Sequence, residues 1–173
     1  MIVTVFGGSL PQPGSTAYLQ AYALGHKLAI AGHTVVTGGY IGTMEAVSAG
    51  ANEAGGHVIG ITCEQIEHWR KTKANRWVIE EIRAETLVAR LDKLIEICDA
   101  AIALPGGPGT LTEIALMWNL MIIQAIPPKK LILVGEGWKN TFEQFANSLG
   151  EYSVQQQQNM LSYSASVDAL ELH

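Results

Sequence analysis

From Pro105 to Glu113 the chain reads Pro-Gly-Gly-Pro-Gly-Thr-Leu-Thr-Glu. The apolar run Ala101 to Leu104 stops abruptly at these prolines and glycines, and a helix-compatible run follows. The pattern predicts a strand, a tight turn and a helix start. Glycines let a backbone turn sharply and let a ligand approach its N–H groups, while the first N–H groups of a helix lack intrahelical partners. An anion, most often a phosphate, is favoured at such a junction. Gly106, Gly107, Gly109 and Thr110 are therefore read as a phosphate-binding set. Glu113 is expected in the first turn of that helix, ionised because the helix dipole favours its anion. The stretch is not a Walker A loop, since no Gly-Lys-Ser/Thr follows, and it lacks the Gly-x-Gly-x-x-Gly spacing of a dinucleotide site.

Two further glycine turns carry the same logic. Gly7-Gly8-Ser9 ends the apolar run Ile2–Phe6, and Gly38-Gly39-Tyr40 ends Val35-Val36-Thr37. In open parallel sheets ligands bind beyond the carboxyl ends of the strands. All three turns are expected on that one edge, where a single small phosphorylated ligand would span them.

The elements that must hold these turns follow from periodicity. After the first strand, Ser15 or Thr16 caps a helix with Ala17, Ala21, Leu24 and Leu28 at helical spacing. A second helix carries Met44, Val47 and Ala51, and Val58 to Ile61 is a third strand. This β-α-β-α-β alternation predicts an α/β chain with a doubly wound, mainly parallel sheet and helices on both faces. Thr62 to Asn75 reads as a polar surface loop, a lid or subunit contact, and Arg76 to Ile82 as a short strand. A helix from about Glu85 to Cys98 follows, with Leu87, Leu91, Leu94, Ile95 and Cys98 as its apolar stripe. Arg90 lies on the edge of that stripe, about 80° from its centre, where a lone arginine commonly snorkels to solvent. Leu131 to Val134 forms another strand and Trp138 to Leu149 a helix. Gln155 to Gln158 reads as a polar turn, Met160 to Tyr163 as an edge strand and Val167 to Leu172 as a terminal helical turn.

The 173 residues suit one domain, 1–173, and a hydrophobic content of 48% with 16% charged residues marks a globular chain. A net charge of -5 argues against nucleic acid as the partner. Cys63 and Cys98 are too few for a metal or disulfide framework, so no metal site is expected. No secretory leader and no apolar run of about 18 residues is evident, which predicts a cytoplasmic location and no membrane partner.

Pro105–Glu113 resembles the PGGxGTxxE signature of the LONELY GUY family of cytokinin-activating phosphoribohydrolases. Gly7-Gly8-Ser9, Gly38-Gly39 with Met44, and Gly55-Gly56 before Val58–Ile61 stand in that family's order, so the resemblance covers about residues 1 to 135. It implies a modified Rossmann fold, a homodimer or homotetramer, and cleavage of the N-glycosidic bond of a nucleoside 5'-monophosphate without a cofactor. It also carries the family's Arg onto Arg90 and its signature Glu onto Glu113 as catalytic residues. The plant-type Arg-Lys pair reads Arg90-Leu91 here, one cation fewer. Related proteins described as molybdenum cofactor carriers imply a second reading, a non-catalytic carrier using the same crevice.

Overall fold

The computed structural model describes residues 1–152 and 155–171. Its elements are β1 (Ile2–Phe6), α1 (Thr16–Ile30), β2 (Thr34–Thr37), α2 (Thr43–Glu53), β3 (Val58–Cys63), α3 (Glu64–Arg70), β4 (Glu80–Ala84) and α4 (Leu87–Glu96). Then come β5 (Ala100–Ala103), α5 (Pro108–Ile122), β6 (Lys130–Val134), α6 (Glu136–Leu149), α7 (Gln155–Gln158) and β7 (Leu161–Ser164).

The seven strands form one sheet in the order β4-β3-β2-β1-β5-β6-β7, and every pairing is parallel. Winding runs outward from β1 in one direction through β4 and from β5 in the other. The reversal therefore lies between β1 and β5, with Phe6 opposite Ala103 at its carboxyl end. This is the doubly wound, Rossmann-like arrangement that the alternation predicts.

Strand side chains alternate between the two faces. Val3 and Val5 join Leu24, Leu28, Val47 and Ala51 beneath α1 and α2. Phe6 joins Leu94, Ile114, Met117 and Trp138 beneath α4, α5 and α6. On the first face α1 and α2 press backbone to backbone, because a side chain at Gly25 or Gly50 would run into the carbonyl of Val47 or Tyr22. Ser15 caps α1 by accepting from the Tyr18 N–H at 3.3 Å.

Five expectations need correction. Residues 64–70 form α3, not loop, although no residue of that helix is buried. The strand expected over Arg76 to Ile82 is β4, four residues further on at its start, an edge strand with Glu80, Glu81 and Arg83 outward. Leu87, assigned to the apolar stripe of α4, is 42% exposed. Residues 168–169 make a turn instead of a helix, with the Leu170 N–H donating to the Val167 carbonyl, and Leu172 lies outside the described residues. The polar turn expected at Gln155 to Gln158 is the short helix α7.

Candidate functional site

The three glycine turns leave β1, β2 and β5 side by side at one edge of the sheet. The first two are pressed together closely enough to exclude a side chain at Gly42, where a Cβ would stand 2.6 Å from Ser9 Cα. The first reaches the third at contact distance, a Cβ on Gly8 standing 3.4 Å from Gly106 Cα. Thr43 ties the first turn to the second, its N–H and hydroxyl donating to the Gly8 carbonyl at 2.9 and 3.0 Å.

The two helix N-termini at this edge differ. The first N–H of α2 is spent on Gly8, whereas α5 starts at Gly107 and Pro108 with no side chain capping it. Its leading N–H groups lack intrahelical partners by geometry, so α5 is the end that suits an anion. Gly106, Gly107 and Gly109 are exposed, and Thr110 is buried against Gly106. Gly7, Gly8 and Ser9 are half-buried, while Gly38, Gly39 and Tyr40 lie buried beneath them.

Tyr40 packs under the site with its hydroxyl taken up by Cys63: it donates to the Cys63 carbonyl at 3.0 Å and accepts from the Cys63 N–H at 2.7 Å. Its ring lies 5.6 Å from the Arg90 guanidinium carbon, a cation–π distance.

Arg90 does not snorkel. It is 4% exposed and points inward from α4. Nε donates to the Ile61 carbonyl at 2.7 Å and Nη2 to the Gly38 carbonyl at 3.2 Å. Ile61 lies within β3 and Gly38 directly follows β2, so α4 anchors both strands through one guanidinium. The third nitrogen, Nη1, lies 3.8 Å from Glu113 Oε1. Gly38 has no room for a side chain because a Cβ there would run into that guanidinium.

Glu113 departs from expectation. With α5 starting at Pro108 it falls in the second turn, on the same buried face as Thr110 and Ile114. Dipole effects fade within the first turn, so burial decides its charge. Burial pushes its carboxyl up to about 7, with the Arg90 charge opposing that rise. It is therefore not held ionised. A carboxyl poised near neutrality, 8% exposed and one helical turn beyond Thr110, is suited to acid or base work.

Sequence reasoning missed Thr43, Asn75 and Arg70. Asn75 donates from Nδ2 to the carbonyls of Gly39 at 3.0 Å and Tyr40 at 2.9 Å, and Arg70 Nη2 donates to Ser9 Oγ at 3.1 Å. The signal for Arg70 was a run of four cations without an acid, Arg70, Lys71, Lys73 and Arg76.

Sheet order and turns together define a Rossmann-like α/β protein with its glycine turns gathered at one edge of a parallel sheet, around its topological switch. The chain belongs to the SLOG cluster4 family, which matches it over residues 1–162. Its relatives agree with the LONELY GUY resemblance. It is 34% identical over 100 residues to a cytokinin riboside 5'-monophosphate phosphoribohydrolase of Mycobacterium marinum, covering 57% of this chain and 52% of that one. It is 31% identical over 153 residues to the Arabidopsis thaliana phosphoribohydrolase LOG4, covering 86% and 69%. The chain spans about half the length of several of the relatives it matches. In three dimensions it resembles the molybdenum cofactor binding protein of Rippkaea orientalis, with a TM-score of 0.75, 29% identity, and 97% and 91% of the two chains covered. Among the described residues no helix is long and apolar enough to cross a membrane.

Proposed function

We propose that this protein hydrolyses the N-glycosidic bond of a nucleoside 5'-monophosphate, releasing free base and ribose 5-phosphate. The observation that carries this reading is the buried Arg90–Glu113 pair, 3.8 Å apart, beside glycine turns open to an anion. The 5'-phosphate is received by the N-terminus of α5 with Gly106, Gly107, Gly109 and Thr110, and the Gly7-Gly8-Ser9 turn closes the other side. Breaking the C1'–N bond develops oxocarbenium character on the ribose, as in glycoside hydrolysis. The Glu113 carboxylate stabilises that charge or takes a proton from the attacking water. The water oxygen bonds to C1', the C1'–N electron pair leaves with the base, and the base takes up a proton. Arg90, fixed by Gly38 and Ile61, acts through Glu113: its charge opposes neutralisation of the carboxyl and its fork fixes the carboxyl's place.

The test is incubation with a panel of nucleoside 5'-monophosphates, following base and ribose 5-phosphate by chromatography. Turnover that disappears in Glu113→Gln supports the reading. Full turnover in that variant removes Glu113 from the chemistry.

A carrier of a phosphorylated cofactor, molybdenum cofactor as cargo, is the second reading. It is favoured by the likeness to the Rippkaea orientalis protein across nearly the whole chain. Stoichiometric retention of such a ligand without nucleotide cleavage would select it. The same glycine cradle serves either ligand, since both carry a phosphate.

A second copy of the chain is part of the proposal. The helices flanking the site, α4 and α5, pack against each other and leave Leu87, Val88 and Leu111 exposed. Apolar surface beside a crevice suits a symmetric contact.

A further inference from the structure

The three glycine turns, residues 7–11, 38–42 and 105–110, contain no lysine or arginine. Arg90, the buried cation beneath them, has its donors directed at Ile61, Gly38 and Glu113. A phosphate monoester near neutral pH carries close to two negative charges, and backbone amides alone supply only partial positive charge. The cradle as built from the turns is therefore short of a full countercharge.

That charge stands at the mouth. Arg70, the last residue of α3, donates from Nη2 to Ser9 Oγ at 3.1 Å, and Ser9 adjoins the Gly8–Gly106 contact. Among the described residues Arg70 has no ion pair, although the chain carries more acids than bases. Its guanidinium lies 5.1 Å from the centre of the exposed Trp69 ring, which limits its rotamers before any ligand arrives.

The backbone keeps Arg70 there. Lys71 stops α3 in the left-handed region at φ 50°, a conformation that usually selects glycine. Four residues further on, Asn75 fastens the chain to the second turn through its N–H and Nδ2 on the Gly39 carbonyl, at 2.7 and 3.0 Å. The arm from Arg70 to Asn75 thus runs from the first glycine turn to the second, pinned at both ends, and carries Lys71 and Lys73 as well.

We propose that Arg70 is a ligand-binding residue: it leaves the Ser9 hydroxyl to make a charge-assisted contact with the ligand's phosphate and so completes the α5 cradle. The proposal rests on the phosphate-binding reading above and adds its cation. Arginine suits the role because its fork matches phosphate oxygens two at a time.

The experiment is calorimetric titration with ribose 5-phosphate of the wild-type protein, Arg70→Ala, Arg70→Lys and Arg76→Ala. Arg76→Ala supplies the control: it removes the same charge one residue beyond the arm, from a side chain that stacks on Trp77 at 4.6 Å and has no hydrogen bond to Ser9 among the described residues. Arg70→Ala is expected to weaken binding at least tenfold and to flatten its salt dependence. Arg70→Lys is expected to recover part of the affinity, and Arg76→Ala to stay within about twofold of wild type. Binding by Arg70→Ala equal to that by Arg76→Ala would overturn the role of Arg70 while leaving the cradle in place. Failure of the wild-type protein to bind ribose 5-phosphate would overturn the cradle itself.

Discussion

Arg90 Nη1 and Glu113 Oε1 stand 3.8 Å apart with their side chains only 5% and 11% exposed, a charge contact looser than a hydrogen bond. The guanidinium is held elsewhere, by the carbonyls of Ile61 and Gly38, so the carboxyl is left with a partner that attracts it without fully compensating its burial. That imbalance places the carboxyl near neutrality, where it can exchange a proton within physiological pH.

The rate should report this. If Glu113 works as a carboxylate, kcat/KM for a nucleoside 5'-monophosphate rises with pH and levels off above an apparent value of about 7. Glu113→Gln should lower turnover by about 10²–10⁴-fold and abolish that limb. In Arg90→Gln the opposing charge is gone, so the limb should move to higher pH. A limb unmoved in that variant would leave Arg90 without influence on Glu113. Measurement of kcat/KM from pH 5 to 9 in the three proteins decides.

Stability should report it too. Because the folded carboxyl titrates at about 7 and its ordinary value is 4.5, the folded state keeps a proton that the unfolded chain has lost between those values. Stability therefore falls as pH rises through this window, by on the order of 3 kcal/mol in total, and is constant above it as far as this group is concerned. Glu113→Gln should flatten the slope. Urea unfolding at pH 5, 6, 7 and 8 gives it directly, and an equal slope in both proteins would contradict the burial argument.

The proposed second copy makes a prediction of its own. By light scattering at micromolar concentration the protein should have at least twice the mass of one 18.6 kDa chain. Val88 is 73% exposed and Leu111 41%, so neither substitution opens a cavity. Val88→Asp with Leu111→Asp should give a monomer with unchanged far-UV circular dichroism. A wild-type monomer would refute the assembly.

The turns after β1, β2 and β5 were legible because a β-branched or apolar run that ends on glycine has few other interpretations. The helix α3 was not, since its seven residues bury nothing and so show no apolar period. The edge strand β4 was misplaced because its register carries Glu80, Glu81 and Arg83, while the apolar Trp77-Val78-Ile79 just before it looks more like a strand. The resemblance singles out Arg90, but its inward direction has no local signal, because its acceptors are 29 and 52 residues away along the chain. Glu113 was found but its charge state was misjudged, because a helix starting at Pro108 moves it one turn inward, from dipole to core.

Gly38 offers a structural test of the same centre. Its side-chain direction is filled by the Arg90 guanidinium and, at 2.6 Å, by Met44 Sδ. Gly38→Ala must displace one of them. Methionine is flexible and can turn aside, but the guanidinium is anchored at two carbonyls, so the added methyl works against those bonds. The substitution should cost about 1–3 kcal/mol in urea unfolding. It should also shift the pH limb of turnover, because Arg90 no longer stands where it faces Glu113. Pairing it with Met44→Ala separates the two obstacles: if stability returns and the limb does not, the methyl was felt by Arg90. If both return, Met44 was the obstacle, and without it the guanidinium stands where it faces Glu113 again.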